Sequence, residues 1–202
     1  MRKLLTILLS ALMILTLTAC GGSEEKNSSQ EKSAATTAEP APDKNKILVA
    51  YFSCTGTTKN LAENAAEVLG ADLYEIKPET PYSETDLNWR DETTRATVEQ
   101  RDEKSRPALA DKNAQIEKYG TVVIAFPIWW GIEPRIIDTF VESYDFSGKT
   151  IIPIATSQSS ELGSSGENLK TLVSQSAEVK NGKCFMKNIS KDEVKKYFDD
   201  LK

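Results

Sequence analysis

The sequence contains no histidine, and this absence excludes several kinds of active site at once. Ser-His-Asp and Cys-His catalysis both use an imidazole as the base, and most zinc sites in proteins include a histidine ligand. We therefore expect no metal site. Any chemistry must come from carboxylates, hydroxyls, aromatic rings, backbone amides or a bound cofactor.

Cysteine is almost as scarce, since the 202 residues include three, at Cys20, Cys54 and Cys184. No two of them form a Cys-x-x-Cys pair, which excludes a thioredoxin-like redox motif and a cysteine zinc knuckle. Positive charge is also in short supply: 25 Lys and Arg face 30 Asp and Glu, a net charge of −5. This acidic balance argues against a nucleic-acid partner.

The N-terminal residues have the pattern of an export signal. Arg2 and Lys3 precede an apolar run over residues 4–18, which is too short to be read as a membrane span. The run ends in Leu-Thr-Ala-Cys, which resembles the bacterial lipobox. We predict a lipoprotein signal peptide over residues 1–19, lipidation of Cys20 and an extracytoplasmic protein that is lipid-anchored to the cell membrane. The alternative is an ordinary secretory peptide that happens to contain Cys20.

Residues 20–45 are predicted to be the lipidated cysteine followed by a disordered tether. Residues 21–45 contain no aromatic or large aliphatic side chain, so they cannot bury enough surface to offset the entropy of ordering. Random-coil scaling gives this tether a reach of roughly 25–30 Å, enough to hold a domain clear of a bilayer. Residues 46–202 have the length of one domain with a substantial core.

The rest of the chain alternates between strand-like and helix-like segments. Short apolar runs predict strands at residues 46–52, 72–76, 121–126, 150–155 and 183–186, and helical periodicity predicts helices at residues 58–69, 134–144, 165–174 and 190–202. Ser190 and Glu193 predict a capping box for the last helix. This alternation predicts an α/β fold, with a parallel sheet covered by helices on both faces. Such sheets bind ligands at the carboxyl ends of their strands.

The interval from Lys77 to Gly120 is longer than one crossover helix requires. Within it, residues 86–103 could form a helix that covers the ligand pocket, which would favour a protein that encloses a substrate. The same residues could equally be a crossover helix with polar flanks.

The stretch Ser53-Cys54-Thr55-Gly56-Thr57-Thr58 joins the first predicted strand to the first helix. Unpaired backbone N–H groups and the positive end of the helix dipole at this position favour an anion. The hydroxyls can donate further hydrogen bonds, and the glycine lets the backbone approach a ligand closely. A phosphate suits this loop, although neither a Walker motif nor a GxGxxG fingerprint is present. The alternative is a helix N-cap with extra threonines.

Three segments, in matching order and spacing, resemble the flavodoxin family. Residues 53–58 resemble its hydroxyl-rich loop for the phosphate of FMN. Residues 126–140 (FPIWWGIEPRIIDTF) look like a branch of the family with a YPIWWG-type second loop, and residues 82–107 resemble its middle region. The resemblance covers nearly all of residues 46–202. It implies a three-layer, doubly wound, five-stranded parallel sheet in the order 2-1-3-4-5, with FMN as the cofactor.

The resemblance assigns the second flavin loop to Pro127-Ile128-Trp129-Trp130-Gly131, where a flat ring could stack on one of the indoles. Gly131 corresponds to the position whose peptide turns to offer a hydrogen bond to flavin N5, and a side chain there would hinder the turn. Alternatively, both tryptophans belong to the core. Many flavodoxins have an acidic residue after this glycine; here Ile132 takes its place and Glu133 stands next to it.

The third flavin loop is where the sequence departs from this branch of the family. Thr156, Ser157, Gln158, Ser159 and Gly163 are the expected contacts, with amide and hydroxyl donors for the polar edge of the ring. Residues 158–161 replace a run that is commonly glycine-rich. Glu161 is unfavourable, because a carboxylate near a ring that becomes anionic on full reduction raises the cost of the second electron.

The same strand order bears on the two remaining cysteines. An extracytoplasmic compartment favours disulfides. However, Cys54 and Cys184 would belong to strands three spacings apart, roughly 14 Å, which exceeds the reach of a disulfide. They are expected to be free thiols.

The resemblance therefore implies an FMN-binding redox protein at the outer face of the cytoplasmic membrane. It would either exchange electrons with a redox partner protein or act as a flavin-dependent reductase with NAD(P)H, a quinone or another small electron donor or acceptor; the sequence leaves both open. A non-flavin binding module on the same fold is the alternative, favoured by the altered third loop. An unrelated phosphate-binding enzyme is a third interpretation.

Overall fold

The computed structural model describes residues 43–186 and 189–201. The predicted signal peptide, the lipidation site Cys20 and most of the predicted tether lie outside the described residues and therefore stay predictions. None of the helices in the described ranges is long and apolar enough to cross a membrane.

The described chain contains one parallel sheet. Its strands are β1 (Asp43–Tyr51), β2 (Asp72–Glu75), β3 (Tyr119–Pro127), β4 (Thr150–Thr156), β5 (Glu178–Val179) and β6 (Lys183–Phe185). The order is β2-β1-β3-β4-β5, with β6 also paired to β4, and every pairing is parallel. The predicted α/β fold with strand order 2-1-3-4-5 is confirmed.

The outermost strand position differs from the prediction, because two short strands share it. β5 pairs with Thr150 and Ile151, and β6 pairs with residues 154–156 of the same neighbour. Pro153 lies between the two paired stretches and has no backbone N–H to donate. A proline in β4 therefore separates the two paired stretches. The strand predicted at residues 183–186 corresponds to β6, and β5 is an additional short strand that was not predicted.

Within the described residues, five helices and one 3-10 turn accompany the strands, and the last helix follows the final strand. The helices are α1 (Thr57–Leu69), α2 (Arg95–Arg101), α3 (Arg135–Glu142), α4 (Ser165–Leu172) and α5 (Lys191–Asp200), and the 3-10 turn is Ile116–Lys118. The Ser190 hydroxyl accepts from the backbone N–H of Glu193, as the capping box requires. The Glu193 carboxylate instead pairs with Lys183, so the described contacts include one half of the box.

The helix considered for residues 86–103 is much shorter than expected. Only α2 is helical, and the residues before it form turns held by their own side chains. Asp91 accepts from both the backbone and the hydroxyl of Thr93, and Thr94 donates to the Asp91 carbonyl. Such local side-chain bonds compete with helical hydrogen bonding, which explains the late start of the helix.

The core occupies both faces of the sheet because successive strand residues point in opposite directions. Leu48, Ala50 and Phe126 lie in a cluster with α3 and α4, whereas Val49 and Ala125 lie in a second cluster with α1 and α5. The result is a three-layer arrangement. It leaves the carboxyl ends of β1, β3 and β4 side by side at one edge, where the loops predicted to hold a ligand begin.

Candidate functional site

A cavity of about 630 Å³ opens at the carboxyl ends of β1, β3 and β4. It brings the three predicted loops together, and the predicted residues in its lining are Thr55, Thr57, Thr58, Pro127, Ile128, Trp129, Trp130, Thr156, Ser157, Gln158 and Ser159. Four further predicted residues are outside this lining: Ser53, Gly56, Gly131 and Gly163.

The first loop leaves the start of α1 open to a ligand. Gly56 is the N-cap residue, with φ +88°, and among the described residues no side chain caps the first turn of the helix. Ser53 accepts a hydrogen bond from the Gly56 N–H at 3.1 Å, which explains why its hydroxyl supports the loop and does not line the cavity. The first turn also carries no acidic residue. The absence of a side-chain cap among the described residues favours an anion site over the alternative interpretation, a helix N-cap with extra threonines.

Two threonine hydroxyls join the first and third loops. Thr58 and Thr156 are both buried, and their Oγ1 atoms lie 2.8 Å apart. One hydroxyl donates this hydrogen bond, so the second retains its own proton for another acceptor. The pair can offer a single O–H to a ligand in the cavity, and it fixes the spacing between the two loops.

The second loop reverses direction in a tight turn at the end of β3. Trp129 and Ile132 exchange backbone hydrogen bonds of 2.9 and 3.2 Å. The two residues between them, Trp130 and Gly131, both have positive φ, +50° and +83°. This is the pattern of a type I′ turn, and a tryptophan adopts it at a cost in strain. The turn leaves the Trp130 indole 47% exposed in the cavity wall.

The two adjacent tryptophans have different environments. Trp129 is half-buried, and its ring contacts Phe52 and Tyr82 edge to face, with centroids 5.7 and 5.3 Å apart. Tyr82 is itself fastened to α2, because its hydroxyl donates to Glu99 and the Arg95 guanidinium lies 4.2 Å from its ring centroid. Trp129 is thus a wall residue anchored in the core. The free aromatic surface belongs to Trp130.

The middle segment contributes lining residues that sequence reasoning missed. Leu87, Trp89 and Ala96 line the cavity, as do Cys54 and Ser160 from the first and third loops. Trp89 is 64% exposed and carries the neighbouring arginine side chain over its ring. The sequence did contain one indication of this: Trp89 is a single tryptophan in a polar interval with no apolar pattern that would place it in the core.

The third loop is organised around Ser157, whose hydroxyl oxygen accepts from the backbone N–H groups of Ser159 and Ser160 at 3.2 and 2.9 Å. Gln158 and Ser159 are exposed in the cavity lining. Glu161, the residue expected to be unfavourable, is exposed and lies outside that lining. The described cysteines, Cys54 and Cys184, are respectively exposed and buried, and both are free.

The second and third loops meet at a pair of glycines. Gly163 has φ +63°, and a Cβ atom on it would lie 1.8 Å from the Gly131 carbonyl oxygen. That oxygen accepts from the Ser164 N–H at 3.2 Å, and the Ile132 N–H donates to the Trp129 carbonyl. The Gly131–Ile132 peptide is therefore held at both ends, and the turn towards flavin N5 that the family resemblance implies stays a prediction. Gly163 supports the second loop through this contact.

Strand order and loop placement define a doubly wound α/β protein with a cavity at the carboxyl ends of its strands. The sequence profile of the family described as flavodoxin matches residues 46–201. The chain belongs to the flavodoxin family. The YPIWWG-type branch within it stays a prediction.

Solved structures agree with this assignment. A provisionally named flavoprotein from Bacteroides uniformis is 43% identical, with a TM-score of 0.71, over 77% of this chain and 99% of its own. Another, from Bacteroides eggerthii, is 41% identical, with a TM-score of 0.72, over 77% and 97%. A flavoprotein from Lactobacillus acidophilus, solved in complex with FMN, is 20% identical, with a TM-score of 0.56, over 76% and 98%, and shares the fold. No curated protein matches the chain.

Proposed function

We propose that this chain is a flavoprotein that binds FMN in the cavity and serves in electron transfer or flavin-dependent reduction. The observation that carries the proposal is the combination, in one cavity, of an uncapped helix N-terminus and a free indole face. A phosphorylated molecule with a flat ring suits both features. FMN, when bound, supplies one- and two-electron redox chemistry.

The first loop fits the phosphate of FMN. Backbone N–H groups in the first turn of α1 lack a side-chain acceptor within the described chain, and the helix dipole adds positive potential there. The exposed hydroxyls of Thr55 and Thr57 line the same end of the cavity. Hydrogen bonds to an anion are stronger than those between neutral groups, so this loop accounts for selectivity towards a phosphorylated flavin.

The second and third loops fit the ring. The exposed indole of Trp130 offers a stacking surface, while Ser157, Gln158 and Ser159 place hydroxyl and amide groups at the same cavity. A flat heterocycle with a polar edge needs one of each. The wall residue Trp129, packed on Phe52 and Tyr82, keeps water away from one side of the site.

The experiment is an absorption titration of the purified domain with FMN and with riboflavin. We expect a shift of the flavin visible band at one equivalent, and FMN binding tighter than riboflavin by about two orders of magnitude, because riboflavin lacks the phosphate. Absence of a spectral change with either flavin would contradict the proposal and favour the non-flavin binding module.

The proposed location is the extracytoplasmic face of the membrane, through lipid on Cys20. The support is the charged start, the short apolar run and the lipobox-like Leu-Thr-Ala-Cys sequence. Electrons would then pass to a redox partner protein or to a small donor or acceptor on that side. Changing Cys20 to Ser should release the protein from the membrane fraction; a variant that stays membrane-bound with unchanged mass would contradict the anchor.

A further inference from the structure

Two carboxyl groups are buried directly behind the second loop. Glu133, the second residue after the Gly131 of the tight turn, is 0% exposed, and Asp138 in the first turn of α3 is 1% exposed. The Asn168 side-chain amide on α4 donates to Glu133 Oε1 and lies 3.3 Å from Asp138 Oδ1. Both carboxyl groups therefore converge on one amide, where each affects the ionisation of the other.

The two cations near this pair form ion pairs with Asp138. Arg135 donates to Asp138 Oδ2 at 3.1 Å, and the Arg106 guanidinium lies 3.6 Å from the same oxygen. Glu133 has no comparable ion pair in the described part of the chain, and its Oε2 atom is buried without a hydrogen-bond partner. Two buried anions so close together are unfavourable when the positive charge is directed at one of them. This arrangement favours ionisation of Asp138 before Glu133.

The remaining groups around Glu133 are neutral. On α4, the buried Ser165 hydroxyl lowers the pKa of the same carboxyl group, although the hydroxyl does not meet the geometry of a hydrogen bond. On α2, the Gln100 amide donates to the Glu133 backbone carbonyl at 3.0 Å. Burial raises the pKa of Glu133 to about 7 and also raises the pKa of Asp138. The surroundings therefore favour an uncharged Glu133 below neutral pH.

Glu133 also connects the second loop to two helices. Its backbone is held by Gln100 of α2 and its side chain by Asn168 of α4. Just before it, the Gly131 carbonyl accepts from Ser164 at the N-terminus of α4. The Glu133 contacts therefore join the Gly131–Ser164 hydrogen bond in connecting this turn, which presents Trp130 to the cavity, to the helices.

We propose that Glu133 is a positioning residue: as a neutral carboxylic acid it stays buried beside Asp138 and keeps the second loop against α4, whereas its ionisation places a second, unpaired anion next to Asp138 and loosens the loop. For the consequence on flavin affinity the inference rests on the proposed FMN site. The protonation and the loop contacts are properties of the protein alone, and they are measured without flavin.

The sign of the pH dependence follows from the raised pKa. Between about pH 4.3, where an unfolded glutamate ionises, and about pH 7, folding retains a proton that the unfolded chain has lost. Stability contributed by the neutral acid is complete below the lower value and is lost as pH rises towards the upper one. Glu133→Gln keeps a neutral acceptor and donor at all pH values, so it should be insensitive.

The first test is urea unfolding of the flavin-free protein over this pH range. The unfolding constant of the wild type, divided by that of Glu133→Gln, should rise by up to about tenfold per pH unit and then level off. The exposed Glu79, whose side chain has no ion pair or hydrogen bond among the described contacts, supplies the control, and Glu79→Gln should leave the ratio flat. A flat ratio for Glu133→Gln as well would overturn the inference.

Carbon-13 NMR of the Glu133 carboxyl group in the wild type tests protonation without any variant, and so decides the matter even if Glu133→Gln fails to fold. A titration midpoint near 7 supports the inference. A midpoint at or below the ordinary glutamate value of about 4.3 overturns it.

Hydrogen exchange then reports on the loop: amide protection at Trp129 and Ile132 should fall above neutral pH in the wild type and persist in the glutamine variant. Equal protection in both proteins would remove the positioning role.

The last test adds FMN. The dissociation constant of the wild type, relative to that of Glu133→Gln, should increase at least about fivefold between about pH 6 and 8.5, while ionisation of the FMN phosphate affects both proteins equally and cancels. If neither protein binds FMN at any pH, the proposed function fails while the NMR and exchange results still decide the role of Glu133. If both bind FMN with a constant ratio, the proposed function stands and the positioning role is wrong.

Discussion

The first loop and the junction of the second and third loops serve the same cavity but are built in different ways. The first loop is built from residues that are close in sequence: the Ser53 hydroxyl accepts a hydrogen bond from the Gly56 N–H, and α1 begins at the next residue. The junction is assembled from residues far apart in sequence, such as Glu133 and Asn168, which are separated by 35 positions. A site built from the backbone donors of consecutive residues can be predicted from the sequence. A site built from contacts between distant loops can be recognised only once the three-dimensional structure is known.

The largest effect is expected at the junction. Gly163→Ala places a methyl group on the Gly131 carbonyl and imposes a side chain at positive φ, so it should lower the free energy of unfolding by about 3 kcal/mol or more. Gly148→Ala is the matched control, because Gly148 has φ +70° and nothing within 4 Å of its Cβ position. That variant should lose about 1–2 kcal/mol from backbone strain alone. Equal losses in urea unfolding would show that the contact between the loops is unimportant.

The next effect belongs to the first loop and concerns ligand selectivity. Thr55 and Thr57 are exposed and line the cavity, so replacing both with Ala should leave the fold intact. FMN binding should weaken by about two orders of magnitude, since two hydrogen bonds to an anion are removed. Riboflavin should bind as before. Parallel titrations check this, and equal losses for the two flavins would mean that the phosphate lies elsewhere.

A smaller effect, of opposite sign for stability and binding, is expected at Trp130. Its φ of +50° is unfavourable for a tryptophan, so Trp130→Gly should raise the free energy of unfolding by about 1 kcal/mol. Removing the indole should at the same time weaken FMN and riboflavin alike, by roughly three- to tenfold. Urea unfolding and the two titrations measure both quantities. A variant that is stabilised and still binds both flavins normally would show that Trp130 is not the stacking surface.

The fold was largely predictable because its signals are local. Apolar runs gave β1, β3 and β4, and the end of α1 at Gly70 follows from a glycine in the left-handed conformation. The short strand β5 was not predicted, because its two residues form no apolar run and its place depends on pairing with β4 across the sheet. The short α2 was missed for a related reason: turn-forming side chains before it outweighed the helical pattern.

The candidate site was predictable to a lesser degree. The hydroxyl and tryptophan residues of the three loops could be predicted as site residues from their type and from their position at the ends of strands. The different environments of Trp129 and Trp130, however, depend on ring contacts with Phe52 and Tyr82. The sequence showed Glu133 only as an acidic residue next to Ile132, whereas the structure buries it against Asn168 and Asp138, where it packs between the second loop and α4. Such pairings follow from tertiary packing, which sequence spacing does not encode.

The central claim is that the N-terminus of α1 holds the phosphate of FMN, and phosphorus-31 NMR of FMN added to the purified domain tests it most directly. Backbone N–H groups and the helix dipole stabilise the doubly charged phosphate. We therefore predict a single bound resonance, displaced from that of free FMN, which does not titrate between about pH 5 and 8. In the Thr55→Ala, Thr57→Ala double variant, the resonance should return towards the free position. A bound resonance that titrates like free FMN in the wild type would contradict the account.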